Sequence, residues 1–100
     1  MSTILIKNGR IVDGTGGEIY KGHVYISEDR IDAVASLDSE NGRDILEKEA
    51  DTIIDAQGLA VSPGFIDCHS HFDFVLPLPD HHEFIFPMIE KGVTTVVTGN

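Results

Sequence analysis

The chain has 100 residues, 41% of them hydrophobic, and this length and composition are typical of a small folded protein. The 17 acidic residues outnumber the 7 basic ones and give a formal net charge of −10. A charge of this sign repels nucleic-acid phosphates and anionic membrane surfaces. We therefore expect no nucleic-acid partner.

Membrane insertion is not expected either. The longest apolar runs, such as Ile4-Leu5-Ile6, are far shorter than the ~20 residues that span a bilayer, and no secretory signal is evident. Cys68 is the single cysteine, so an internal disulfide is impossible and the chain suits a reducing compartment. These features predict a cytoplasmic protein.

The first 61 residues consist of short apolar runs cut by turn residues, a pattern that predicts a β-rich region. Asn8-Gly9 predicts a hairpin between two such runs, because both residues tolerate positive φ. A second hairpin is predicted around Gln57-Gly58. The polar segment from Ser36 to Asp51 is predicted to be irregular.

Two more strands, 23–27 and 30–34, are predicted around a turn at Glu28-Asp29. The glycine-rich segment 13–17 allows two interpretations, a phosphate-binding loop or a turn between strands. The turn is favoured, because the segment joins strands and does not open a helix. His23 is interpreted as an ordinary strand residue.

The pattern changes at Pro63-Gly64. Residues 65–69 are typical of a buried strand, and residues 93–98 have the β-branched content of a strand that is covered on both faces of a parallel sheet. Between them, Pro87 predicts the first turn of a short helix and Gly92 its end. This order predicts one strand–helix–strand unit.

His69 and His71 are the strongest candidates for chemistry. Strand alternation puts Asp67, His69, His71 and Asp73 on one face and Cys68 on the other. Two neutral imidazoles at this spacing present their nitrogens to one point, which suits zinc and related metals. We predict His69 and His71 to be metal ligands, Asp67 to orient a histidine or line the site, and Cys68 to be a small core residue.

The run from Val61 to His71, V-S-P-G-F-I-D-C-H-S-H, resembles the signature of the amidohydrolase superfamily. Segments 6–9 and 54–58 are similar to segments of the small β-sandwich with which its members open. The resemblance covers the whole chain and implies a mixed β then α/β fold. Residues 1–61 would form a β-sandwich-like subdomain, and residues 62–100 the first strand, helix and strand of a (β/α)8 barrel, which is incomplete here.

Within this superfamily, residues 91–100 look most like the N-acyl-D-amino-acid deacylases, or D-aminoacylases. Asp73 matches an acidic position that follows the two histidines in those enzymes. Asn100 ends a Gly-Asn pair that, in those enzymes, precedes a metal-ligating cysteine. The resemblance therefore makes Asp73 and Asn100 candidates for contact with the ligands of the metal or with the substrate. The resemblance implies hydrolysis of a C–N amide bond in a small-molecule substrate, with one or two divalent ions, zinc first.

The same resemblance puts the remaining ligands and the acid/base residue beyond residue 100, so the chain by itself is expected to be an inactive fragment or part of an assembly, and an oligomer is possible. Three other interpretations stay open. The full enzyme could be a cyclic amidase of the hydantoinase, dihydropyrimidinase or dihydroorotase type, or an isoaspartyl dipeptidase. The chain could instead be a non-catalytic β-rich interaction module.

His81-His82 is expected in the loop at the barrel mouth. This pair has either a role in substrate or metal binding or no role.

Overall fold

The computed structural model describes residues 2–99, and the chain divides at Pro63-Gly64 into two compact units. The elements, in chain order, are β1 (Thr3–Ile11), β2 (Tyr20–Ser27), β3 (Arg30–Ser36), α1 (Glu40–Glu47), β4 (Thr52–Asp55), β5 (Ala60–Val61), β6 (Phe65–Asp67), a 3₁₀ turn (Phe72–Phe74), α2 (His81–Glu90) and β7 (Val93–Val96).

β1 is the strand with which most of the first unit pairs. β2 lies antiparallel on one side of it, and β3 pairs antiparallel with β2 around a turn in which Glu28 has a φ of 55°. On the other side, β4 and then β5 pair with β1 in parallel. The result is a mixed sheet, and the predicted β2–β3 hairpin is confirmed.

The hairpin predicted at Asn8-Gly9 is wrong. β1 continues through both residues, and its register with β2 shifts between Ile6 and Gly9. Asn8 has a φ of 59°, the left-handed conformation that suits a turn and suits a bulge equally well. The Asn-Gly pair alone does not distinguish a turn from a bulge, and for this reason the prediction was wrong. The chain reverses later, in residues 12–19.

The hairpin predicted at Gln57-Gly58 is also wrong in its pairing. A tight turn is present, with φ values of 52° and 83°, but the strands on either side of it both pair with β1 and not with each other. The amide of Ala56 donates to the carbonyl of Lys7 at 2.8 Å, and that of Gly58 to Asn8 at 2.8 Å. The turn therefore carries the chain past the β1 bulge.

Residues 36–51 are not wholly irregular as predicted, because they contain α1. Ser39 begins this helix: its hydroxyl accepts a hydrogen bond from the amide of Gly42 at 3.0 Å, which satisfies a donor at the helix start. The helix contributes Ile45, 2% exposed, to a core shared with Leu5 and Tyr25. The helix buries only Gly42 and Ile45, so a mostly polar sequence is sufficient to form it and gave little indication of a helix.

The second unit contains the predicted strand–helix–strand order, and β6 and β7 pair in parallel. α2 begins at His81, which leaves Pro87 inside the helix and not in its first turn. Gly92 follows the helix with a φ of 91°, as expected for its end. Neither helix in residues 2–99 is long and apolar enough to cross a membrane.

Both strands of this unit are shorter than predicted, and they are not buried. Phe65 is 63% exposed and Ile66 is 66% exposed. These two neighbours lie on opposite faces of β6, so the strand is apolar on both faces. The apolar composition was correctly identified, but in residues 64–99 no element covers these two side chains.

Gly42 supplies a test of the α1 packing. A Cβ at this position would lie 1.9 Å from the carbonyl oxygen of Ser36, which is backbone. Gly42→Ala should therefore lower the free energy of unfolding by about 2 kcal/mol. This loss is expected even though alanine, in a helix that nothing crowds, is more stabilising than glycine by about 1 kcal/mol. Urea denaturation measures this value. Asn41→Ala, at the exposed neighbouring position, should be neutral or slightly stabilising, and equal stability of the two variants would contradict the packing.

Candidate functional site

The loop that follows β6 is tied to the chain that follows β7. The amide of Val97 donates to the carbonyl of Asp67 at 2.8 Å, and the amide of Ser70 donates to the carbonyl of Val97 at 2.9 Å. Ser70 is only 7% exposed. These two bonds extend the β6–β7 connection beyond the strands and fix the middle of the loop.

His69 and His71 flank this anchored serine, and both are exposed. Their ring centroids are 5.2 Å apart, with the ring planes at 84°. The ring of His71 also lies 6.0 Å from that of Phe74. The loop therefore presents two imidazoles side by side.

Two short hydrogen-bonded turns hold the backbone around the histidines. A carboxylate oxygen of Asp67 accepts from the amide of His69 at 3.2 Å, and the hydroxyl of Ser70 accepts from the amide of Phe72 at 3.2 Å. In each turn a side-chain oxygen accepts a hydrogen bond from the amide two residues later, and this bond fixes the direction of the backbone between the two residues. Asp67 thus contacts the backbone of His69.

Strand alternation, from which the site was predicted, ends before the histidines. β6 stops at Asp67, and Asp73 lies in the 3₁₀ turn, where it is exposed. The two histidine rings lie close together, and Asp67 lies at the backbone of His69. A bent loop, and not a continuing strand, produces this arrangement. Asn100, the other residue named from the sequence, lies outside the described residues.

Cys68 is exposed, so its assignment as a small core residue is wrong. The reason is the early end of β6: a bend occupies residues 68–69, and the alternation that would have put this side chain on the covered face no longer applies. The thiol lies beside the histidine loop without belonging to a buried core.

His81 and His82 lie in the first turn of α2, not in a loop as predicted. Their ring centroids are 4.1 Å apart, and Nδ1 of His81 lies 2.8 Å from the carbonyl oxygen of Leu78. Within residues 2–99, no three His, Cys, Asp or Glu side chains are grouped so that they could hold a metal ion. The described part of the chain therefore offers pairs of donors.

His23 is the polar residue whose environment the sequence did not reveal. It is 1% exposed, and its Nδ1 accepts a hydrogen bond from the amide of Asn8 at 3.0 Å. Burial lowers the pKa of this imidazole, and the charge of Lys7 acts in the same direction. The signal available in the sequence was its place among apolar neighbours in a predicted strand.

The glycine-rich segment 13–17 lies in the connection between β1 and β2, as predicted. The carboxylate of Asp13 accepts from the hydroxyl and the amide of Thr15, and these bonds lower the pKa of Asp13. The segment leads into a strand and opens no helix, so the geometry of a helix-based phosphate loop is absent from it.

Ser70 gives a test of the loop. Ser70→Ala removes the acceptor of the Phe72 amide, and a lost hydrogen bond of this kind costs about 1 kcal/mol. Amide hydrogen exchange at Phe72 should accelerate about fivefold. Ser62→Ala, which removes an exposed hydroxyl bonded to its neighbour, is the control and should leave Phe72 unchanged. Identical exchange in both variants would rule out this anchor.

No protein-family model matches the chain. Similarity to individual proteins is clear, however. An adenine deaminase from Listeria innocua serovar 6a is 38% identical over 95 residues, which are 95% of this chain and 14% of that protein. A D-aminoacylase from Alcaligenes xylosoxydans xylosoxydans is 37% identical over 98 residues, which are 97% of this chain and 18% of that protein.

Solved structures give the same result. The crystal structure of D-aminoacylase matches with a TM-score of 0.73 and 39% identity over 97% of this chain and 18% of that chain. N-acyl-D-glutamate deacylase from Bordetella bronchiseptica, complexed with zinc and a phosphonate inhibitor, matches with a TM-score of 0.76 and 32% identity over the same shares. The L-hydantoinase of Arthrobacter aurescens matches 72% of this chain and 14% of its own, with a TM-score of 0.55 and 28% identity.

The chain therefore spans less than a fifth of the length of these proteins, 14% to 18%. D-aminoacylase has a binuclear metal centre, and the N-acyl-D-glutamate deacylase holds zinc. The predicted resemblance is confirmed: over nearly its whole length, this chain is similar to the N-terminal segment of amidohydrolases, with D-aminoacylase and N-acyl-D-amino-acid deacylase among them.

Proposed function

We propose that this chain is the N-terminal part of a metal-dependent amidohydrolase that hydrolyses the C–N amide bond of N-acyl-D-amino acids. One observation carries the proposal. Two adjacent imidazoles follow a strand in a chain that is 37% identical to a D-aminoacylase. In this interpretation the substrate is a small amide, and zinc is the first metal to test.

His69 and His71 would be the first two ligands of the metal. Two imidazoles that each place a ring nitrogen ~2.1 Å from one tetrahedral zinc have centroids about 5 Å apart. The separation of 5.2 Å between the two rings fits this requirement. A bound divalent ion would activate water and polarise the amide carbonyl.

The neighbouring residues would act by positioning these ligands. Asp67 holds the backbone of His69 through its carboxylate, and Ser70 fixes the loop between the histidines through its bond to Val97. A loop held in this way needs less ordering when a metal binds, which favours affinity. Asp73 and Asn100 stay candidates for the surroundings of the site.

The arrangement of the chain in the whole enzyme belongs to the same proposal. Residues 1–61 would form a β-sandwich-like subdomain, and residues 62–100 the first strand, helix and strand of a (β/α)8 barrel. The apolar character of β6 on both faces supports the barrel, because a parallel barrel strand is covered on both sides. Additional ligands, a second metal and the acid/base residue would come from later strands.

Two other substrates have support of their own. The 38% identity to an adenine deaminase makes a deaminase, which the sequence motifs did not predict, the main alternative. The similarity to L-hydantoinase keeps a cyclic amide open as the substrate. Both alternatives retain His69 and His71 as ligands and change only the group that is cleaved.

Zinc binding by the chain provides the direct test of the ligands. His69→Ala and His71→Ala should each weaken zinc binding at least tenfold in a competition titration with a chelating dye, because each removes one of two imidazole donors. The control is His82→Ala, which disturbs the histidine pair of α2 and should leave the affinity within twofold. If His82→Ala has the largest effect, the proposed site is in the wrong place.

Activity must be measured on the full-length enzyme that contains this segment. It should release free D-amino acid from an N-acyl-D-amino acid and leave the L enantiomer, adenine and hydantoin unchanged. His71→Ala should lower kcat/KM on the order of 100-fold or more, because loss of a metal ligand should cost at least as much as loss of a residue that only supports a ligand, which costs about 10- to 100-fold. Deamination of adenine, with no release from the acyl amino acid, would establish the alternative.

A further inference from the structure

The imidazole of His23 lies opposite the interruption of β1. Ile6 pairs with Val24 and Gly9 with Gly22, so His23 faces the two residues between them that follow no regular register. At this point Nδ1 accepts the amide hydrogen of Asn8 at 3.0 Å. The neutral ring must therefore carry its proton on Nε2.

The second ring nitrogen makes the site sensitive to protonation. Nε2 is buried and has no hydrogen-bond partner within residues 2–99. A protonated ring would have a hydrogen on both nitrogens, and Nδ1 could then no longer accept from Asn8. Protonation thus replaces a hydrogen bond with two buried N–H groups facing each other.

Asn8 is also hydrogen-bonded to the chain between β4 and β5. Its carbonyl accepts from the amide of Gly58, and its side-chain amide donates to Asp55 at 3.3 Å. The preceding residue, Lys7, accepts from the amide of Ala56. The bulge is therefore joined both to His23 on β2 and to the turn between β4 and β5.

Within residues 2–99, no acidic side chain is positioned to stabilise a positive charge on this ring. On β1 the neighbouring charge is Lys7, and on β2 Lys21 lies two residues before His23. β3 presents Ala35, the pairing partner of His23. α1 buries Gly42 and Ile45, and its charged side chains are exposed: Glu40, Arg43, Asp44 and Glu47. The carboxylate of Asp55 is engaged by Asn8 and Gln57.

We propose that His23 is an acid-sensitive latch, which holds the Asn8 bulge and the Ala56–Gly58 turn while its imidazole is neutral and releases both when it is protonated. Nothing in this role depends on the proposed amidohydrolase activity. The latch is confined to the first unit and acts through the hydrogen bonds of β1.

The direction of the pH dependence follows from linkage. In the closed state the pKa of His23 is below its ordinary value of 6.5, whereas in an opened state the exposed ring regains the ordinary value. The latch is therefore at full strength above pH 6.5 and weakens as the pH falls toward the closed-state pKa. Within that window the opening constant rises about tenfold per pH unit.

The experiment uses the whole chain with EDTA present, so that metal binding does not contribute. Nitrogen-15 NMR should find His23 protonated on Nε2 at pH 8, with a titration midpoint below 6.5. Exchange protection of the amides of Asn8, Ala56 and Gly58, corrected for intrinsic rates, should fall up to about tenfold between pH 6.5 and 5.5. The amide of Ser70, in the other unit, should not follow.

A matched pair of variants isolates the imidazole. His23→Asn keeps an acceptor oxygen near the position of Nδ1 but does not titrate, so protection of the three amides should become independent of pH across this window. His82→Asn removes an exposed histidine and should behave as the wild type. A proton on Nδ1, a midpoint at or above 6.5, or equal pH dependence in His23→Asn would each refute the latch. The first two measurements need only the wild-type chain.

Discussion

Asn8 interrupts β1 in its middle, and the pairing of the other strands depends on how this interruption is accommodated. β1 must match β2 on one side while it receives β4 and then β5 on the other. The left-handed conformation of Asn8 costs little for this residue type, and its backbone groups are all engaged, the amide by His23 and the carbonyl by Gly58. The bulge thus lies in the strand that joins the antiparallel and parallel halves of the sheet, at the point where the parallel partner changes from β4 to β5.

The elements of the first unit could be predicted better than their pairing. Apolar alternation identified the strands, but Asn8-Gly9 and Gln57-Gly58 were interpreted as hairpin turns because local φ preferences do not say which strand the chain meets next. α1 was missed for another reason. Its signals are a capping serine at position 39 and one buried isoleucine, and they are weak beside the polar composition of residues 36–51.

The two histidine rings lie side by side, although not through the strand alternation on which their prediction as metal ligands was based. β6 ends at Asp67, so alternation does not bring the rings together. The loop that carries both rings is held by the hydrogen bonds between Ser70 and Val97 and between Asp67 and His69. Sequence spacing could not reveal these bonds, since Val97 is distant in the chain and becomes a partner only when β7 pairs with β6.

The proposed chemistry would be divided between this segment and the rest of the enzyme. The segment is similar to an adenine deaminase and to a D-aminoacylase at nearly the same identity, 38% and 37%, over 95% or more of its length. Under the proposed function, a segment that resembles two such enzymes would supply metal donors and would not choose the group that leaves. In barrel enzymes that choice is made by loops after several different strands. The side-by-side imidazoles of His69 and His71 fit this division, because two donors can orient a metal for either reaction.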